Sequence, residues 1–334
     1  MEKIYDVIII GAGPGGLECA KQLKNTGLSV LLIEKNKIIG PKVCAGGLTT
    51  LVSDFDIPKD KIRSFQEYDF FLENTPRLIK LVNPLKTISR LDLGQYQLSK
   101  INNCGNIKIV TDVSVEEIKK DIIKTSIGDF YYKYLVGADG SSSIVRRHLG
   151  LETKINIGMY YNINKGVSRF SWHLNHRQLK AGYVWVFPHI NYTNVGVYFD
   201  PNNVSSVKAR AFLEEFLNLN KYDYSDSKFE AAPISYLYKG CVFENIFLVG
   251  DAAGLASKST GEGISFALIS GEEVAKKILN QKYQMIKLNK VLVLKSRQER
   301  LLKLFILLPF MQLMLFRAFA YLVGKKWFQI YYGN

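Results

Sequence analysis

Val7-Ile8-Ile9-Ile10-Gly11-Ala12-Gly13-Pro14-Gly15-Gly16 decides how this chain folds. Residues 3–10 end in four consecutive apolar side chains, the pattern of a strand buried on both faces of a parallel sheet. A glycine cluster follows at once, then a helical apolar pattern through Leu17, Ala20 and Leu23 that stops at Gly27. A second buried strand covers residues 29–33 and ends at Glu34. Strand, GxGxxG, helix, strand and acid at this spacing form a dinucleotide-binding unit. Gly11 permits the tight turn, Gly13 lets a pyrophosphate approach the backbone, and Gly16 lets the helix pack closely on the strand. The phosphates then meet the helix N-terminus, and the Glu34 carboxylate accepts from ribose hydroxyls. NAD and FAD both fit this unit.

Two later segments extend the pattern. Residues 134–140 form an apolar strand ending in Asp139-Gly140, followed by a serine-rich turn and a helix start at Ile144. Residues 246–254 repeat the strand-to-acid arrangement, with Gly250-Asp251 at the turn. Gly261-Glu262-Gly263-Ile264 then opens a long helix that runs to about residue 279. An N-terminal fingerprint, an Asp-Gly motif and a Gly-Asp motif in this order resemble the flavoprotein hydroxylase-like superfamily. That resemblance implies FAD as the cofactor. It puts Asp251 on the ribityl chain, Gly263 and Ile264 beside the flavin, and Arg90 near the phosphates. It also implies cofactor contacts at Gly15, Lys35, Cys44, Ala45, Gly46, Gly47, Val113, Asp139 and Gly261.

The resemblance narrows further. Residues 40–48, Gly-Pro-Lys-Val-Cys-Ala-Gly-Gly-Leu, are similar to the Cys-Gly-rich loop of geranylgeranyl reductases, and residues 182–188, Gly-Tyr-Val-Trp-Val-Phe-Pro, to their Tyr-x-Trp-x-Phe-Pro signature. Residues 1–280 follow that family's plan. Ala45 separates Cys44 from the glycine pair, and Lys258 stands where the family usually has a proline. The resemblance implies a flavin-dependent reductase of isoprenoid carbon–carbon double bonds, acting on polyprenyl lipids or their precursors. Cys44 is the proton-donor candidate. Only one dinucleotide fingerprint is visible, so electrons are expected from transient NAD(P)H or a ferredoxin-like carrier. Tyr183, Trp185 and Phe187 alternate, so on a strand they share one face. Taken alone, that stripe reads as sheet core; the resemblance makes it a wall of the substrate site. Two rival readings share the FAD motifs: a monooxygenase acting on an apolar substrate, and a membrane-associated flavoprotein electron carrier.

Charge separates the tail from the body. The 334 residues carry a net charge of +14. Residues 276–334 hold 12 of the 44 Lys and Arg, with Glu299 as their single acid, while the body is nearly neutral. No nucleic-acid motif accompanies the charge, so that partner is not expected. The tail contains an apolar stretch, residues 304–323, interrupted by Pro309, Gln312 and Arg317. It is about the length of a bilayer span, but Pro309 and Arg317 favour an in-plane or re-entrant helix over a spanning one. The expectation is that the tail helices cover the substrate tunnel and rest on anionic lipid; the alternative is that they pack on the FAD domain and close the pocket, the basic run then being a solvated face. Cys19, Cys44, Cys104 and Cys241 form no CxxC pair, so neither disulfides nor a metal site is expected and the compartment is cytoplasmic, with peripheral membrane association. The expected architecture is α/β. A discontinuous Rossmann-like FAD domain covers residues 1–50, 80–155 and 240–280. A mixed or antiparallel substrate sheet covers 51–79 and 156–239, and basic, hydrophobic helices cover 281–334.

Overall fold

A computed structural model describes residues 4–73, 75–164, 166–307 and 311–332, and two sheets carry its fold. In the first sheet Val242–Phe243, Ile246–Leu248, Gly128–Gly137, Ile4–Ile10, Val30–Ile33 and Ile107–Val110 lie side by side in that order. The five from Ile246–Leu248 onward run parallel. Ile4–Ile10 is central, with Ile8 in register with Leu31 on one side and Leu135 on the other. Consecutive side chains of a strand point to opposite faces, and Val7, Ile8 and Ile9 are all fully buried. Both faces of this strand are therefore covered, which is why its sequence shows no polar alternation. Lys3, read as the first residue of the strand, lies outside the described residues.

The helix Pro14–Gln22 starts directly after the glycine turn and packs on the helix Ile264–Leu279. Their contact is close. A Cβ on Gly271 would lie 2.2 Å from the Gly15 carbonyl oxygen, and one on Gly16 would lie 2.0 Å from that of Gly11. Below this contact the fully buried Arg146 donates to the carbonyls of Glu152, Leu237 and Ala252, tying three loops together. Each of those bonds is charge-assisted, which offsets the cost of burying the guanidinium.

The second sheet runs Glu230–Ser235, Ile155–Ile163, Thr193–Phe199, Tyr183–Pro188, Ser171–Leu174, Arg63–Leu72, Thr75–Thr87, Gly47–Leu48. It is antiparallel except where Ser171–Leu174 pairs with Arg63–Leu72. The expected boundary at residue 80 falls inside the strand Thr75–Thr87. On one face Val184, Val186, Val195 and Val197 pack with Leu213 and Leu217 of the helix Ser206–Leu219. The opposite face, with Tyr183, Trp185 and Phe187, is turned to a cavity.

The helix Ile286–Leu307 packs on Ile264–Leu279, while Gln312–Val323 and Lys326–Tyr332 pack on the strands Arg63–Leu72 and Thr75–Thr87. Gln329 fixes the last of these by donating to the carbonyls of Lys80 and Val323 and accepting from the Val82 amide. Pro309 lies outside the described residues, among which no helix is long and apolar enough to cross a membrane. One basic side chain departs from the solvated face expected of the tail. Lys295 is only 4% exposed, donates to the Ala256 carbonyl at 2.7 Å and pairs with Glu299 at 2.6 Å. It holds the tail to the loop ahead of Gly261.

Gly16→Ala tests the helix–strand contact. The added methyl has no room against the Gly11 backbone, so the variant is expected to lose about 1–3 kcal/mol of stability, read from denaturant unfolding.

Candidate active site

One cavity of about 330 Å³ opens where the two sheets meet, and it has two chemically distinct ends. At the polar end lie Gly13, Gly15, Arg90, Gly140, Asp251 and Gly263. Gly13 caps the helix Pro14–Gln22 and Gly263 caps Ile264–Leu279, and neither cap supplies a side-chain acceptor. Two helix N-termini therefore present free amide donors and positive dipole ends to this region. The Nε of Arg90 is buried there without a hydrogen-bond partner. An unpaired buried guanidinium donor is costly, so this end is built for an anionic or oxygen-rich group. Asp251 is held by Lys42 at 3.2 Å.

The other end is an apolar arm. Phe70, Trp172 and Phe187 from the second sheet face Leu301, Phe305 and Phe319 from the C-terminal helices across it. Tyr183, Trp185 and Phe187 line the cavity between the two ends. Each polar atom of this stripe is turned to a fixed acceptor. The Tyr183 hydroxyl donates to the Thr260 carbonyl at 2.5 Å, and Trp185 Nε1 donates to Asn194 Oδ1 at 2.6 Å. Burial pushes the Tyr183 phenol above its ordinary range. The stripe is at once part of a hydrophobic cluster and a wall of the cavity.

The loop bearing Cys44, Ala45, Gly46 and Gly47 forms the edge between the ends. Gly46 sits at φ +71°, and a Cβ there would lie 2.3 Å from the Ile88 carbonyl oxygen, which requires glycine. His189 Nε2 donates to the Ala45 carbonyl at 3.0 Å, and burial lowers the His189 pKa to about 4, keeping the ring neutral. Cys44 is half-buried, and its Sγ accepts from the Gly46 amide at 3.4 Å. Across the cavity wall the Tyr160 hydroxyl donates to Glu230 at 2.5 Å.

The sequence-derived residues divide into three groups. Gly13, Gly15, Cys44, Ala45, Gly46, Gly47, Arg90, Asp251, Gly261, Gly263, Ile264, Tyr183, Trp185 and Phe187 converge on the cavity. Gly11 and Gly16 shape its floor from behind, through their tight contacts. Glu34, Lys35, Val113 and Asp139 lie apart from it. Glu34 accepts from the amides of Ala12 at 2.8 Å and Asn36 at 3.0 Å, and Val113 donates its amide to the Glu34 carbonyl. Lys35 is exposed. Asp139 accepts from the Ser143 hydroxyl and the Ile144 amide, which caps the short helix Ile144–His148.

Several residues of the site carried no sequence-based assignment. His189 followed directly on the residue 182–188 signature, and Phe305 and Phe319 fell in a stretch read mainly for its length. Glu262 stood inside a motif valued for its glycines. It lines the cavity, accepts from the Thr49 hydroxyl at 2.5 Å, and burial raises its pKa.

The description "pyridine nucleotide-disulphide oxidoreductase" belongs to the family model that matches residues 5–163. An uncharacterised protein of Methanosarcina barkeri is 31% identical over 83% of this chain and 75% of its own length. Digeranylgeranylglycerophospholipid reductase 3 of Methanosphaera stadtmanae is 28% identical over 86% of this chain and 81% of its own. A solved structure of a geranylgeranyl bacteriochlorophyll reductase-like protein from Thermoplasma acidophilum shares the fold at a TM-score of 0.75. It is 22% identical, with 99% of this chain and 90% of that one covered. Fold, site and relatives define an FAD-dependent oxidoreductase. Within that class the chain belongs to the geranylgeranyl reductase family.

The raised Glu262 pKa gives a signed prediction. A native state that keeps a proton the unfolded chain has released loses stability as pH rises above the ordinary carboxylate range. Glu262→Gln removes that loss. Its midpoint of thermal unfolding should rise relative to the parent at neutral pH, and the gain should shrink toward pH values below the ordinary carboxylate range.

Proposed function

We propose that this enzyme hydrogenates carbon–carbon double bonds of polyprenyl lipids or lipid precursors, using FAD as the redox cofactor. One observation carries the reading: a single cavity joins a polar end, with two uncapped helix N-termini and an unpaired arginine, to an arm walled by aromatic and aliphatic side chains. Arg90, the amides at Gly13–Gly15 and Gly263–Ile264, and Asp251 are the groups that would hold the cofactor's phosphates, ribityl chain and ring. Glu34 would reach the ribose from the end of its strand. When bound, the flavin supplies a hydride and a site for reduction.

The chain supplies everything else. An isolated trisubstituted alkene has no polar handle, so it must be held in place by shape. Tyr183, Trp185 and Phe187 would form a rigid wall on one side, with the Cys44–Gly47 loop at its edge. Phe305 and Phe319 would bury the rest of the isoprenoid and exclude water. Burial of each isoprenoid methylene contributes about 0.8 kcal/mol, so chain length alone can drive binding. The names of the relatives support a polyprenyl substrate and an external reductant, for which NAD(P)H or a ferredoxin-like carrier both fit. The same helices offer a route to the membrane. Leu304, Leu307, Met314 and Trp327 are exposed beside Lys303, Arg317 and Lys326, a surface suited to anionic lipid. Each basic side chain near such a surface contributes on the order of 1 kcal/mol.

Purified protein should be yellow, be bleached by dithionite, and then convert a geranylgeranyl lipid to products that have gained two hydrogens per reduced double bond. Mass spectrometry reads the outcome. An oxygenated product, or an unchanged lipid with every polyprenyl substrate offered, contradicts the reading. Arg90→Gln should weaken FAD binding to the apoprotein by about 10–100-fold, the worth of a lost charge-assisted hydrogen bond, in a fluorescence titration.

A further inference from the structure

Reduction of an isolated alkene needs a proton as well as a hydride, and the cavity presents few groups able to give one. The phenols are poor candidates. Tyr183 and Tyr198 donate to the backbone carbonyls of Thr260 and Lys258, Tyr160 donates to Glu230, and burial pushes all three pKa values up, away from acidity. Asp251 is engaged by the Lys42 ammonium at 3.2 Å. The Cys44 sulfur is turned back onto its own loop, where it accepts from the Gly46 amide at 3.4 Å. Glu262 differs from all of these. It lines the cavity immediately before the N-terminus of Ile264–Leu279 and forms no salt bridge among the described residues. The groups that face it are neutral: the Thr49 and Ser265 hydroxyls and the Tyr183 phenol.

We propose that Glu262 is the proton donor of the reaction. Thr49 fixes its orientation: the threonine hydroxyl donates to one carboxyl oxygen at 2.5 Å, which leaves the other oxygen to carry the proton. The hydroxyl of Ser265 lies 3.4 Å from that of Thr49 and completes a small polar seat in an otherwise apolar wall. A carboxylic acid is intrinsically a stronger acid than a thiol or a phenol by several pKa units. No salt-bridge partner stands beside it among the described residues, and its burial opposes ionisation, raising its pKa above the ordinary carboxylate value. In the step itself the Glu262 O–H bond breaks and a C–H bond forms at one alkene carbon. The electron pair of the double bond makes that new bond. The other carbon would receive the hydride that bound reduced flavin would supply, so the alkene gains two electrons and two protons in all: one proton from Glu262, and the second proton with both electrons as the hydride. Glu262 is left as the carboxylate and regains its proton from water once product leaves.

The inference rests on the reductase reading, so its test includes a measurement that needs no turnover. Infrared difference spectroscopy between parent and Glu262→Gln protein should show, at neutral pH, a protonated-carboxyl carbonyl band that only the parent has. Glu262 ionised at neutral pH overturns the proposal, whatever substrate the enzyme uses. With flavin reduced beforehand, single-turnover reduction of a geranylgeranyl lipid should slow at least 100-fold in Glu262→Gln, the scale of lost general-acid catalysis. Flavin content and bleaching by dithionite should be unchanged. Glu262→Asp should recover part of the rate. A parent-like rate in Glu262→Gln, or a loss confined to Cys44→Ala, overturns the proposal. A parent that binds flavin, shows the carboxyl band and reduces no polyprenyl lipid instead removes the reductase reading.

Discussion

The approach of two helices through glycine holds this site together. Gly15 and Gly271 bring Pro14–Gln22 and Ile264–Leu279 so close that a single methyl at Gly271 would collide with backbone. Because of that contact, two helix N-termini separated by some two hundred and fifty residues of sequence open onto one cavity. The donors they present are backbone amides, which cannot be lost to a rotamer change. The sequence around each helix is consistent with this constraint: glycine where backbones meet, and no capping side chain where a ligand must bind.

The rest of the architecture gives that polar centre an apolar approach. The second sheet spends one face on the helix Ser206–Leu219 and keeps the other for the cavity. Its aromatic residues satisfy their own polar atoms locally, through Thr260 and Asn194, and present hydrocarbon inward. The C-terminal helices close the far side, and they are fastened at both ends. Lys295 ties the first of them to Ala256 near the Gly261–Gly263 turn, and Gln329 ties the last to the strand Thr75–Thr87 of the second sheet. A lost anchor at either point would open the apolar arm without touching the polar end.

Much of this was legible in the sequence because it depends on local pattern. The run from Val7 to Gly16 encodes a buried strand and a tight turn, and both appear, the strand lying between Val30–Ile33 and Gly128–Gly137. The alternation of Tyr183, Trp185 and Phe187 likewise encodes a shared face. What the sequence hid depends on three-dimensional neighbours. Lys295 looks like any other lysine of a basic run until the chain folds its ammonium against Ala256. Glu262 has the same difficulty, since its character comes from Thr49, more than two hundred residues away. Asp139 shows the converse: it lies in a recognisable motif, yet its carboxylate is taken up by Ser143 and Ile144.

The central claim is that one cavity seats the reactive end of a polyprenyl chain at the polar centre and its tail among the C-terminal helices. A crystal structure of the enzyme with FAD and a geranylgeranyl lipid tests it most directly. The account predicts isoprenoid density that runs from the Tyr183–Trp185 wall to Phe305 and Phe319. Density for the chain outside that arm, with Phe305 and Phe319 still packed on each other, would contradict it.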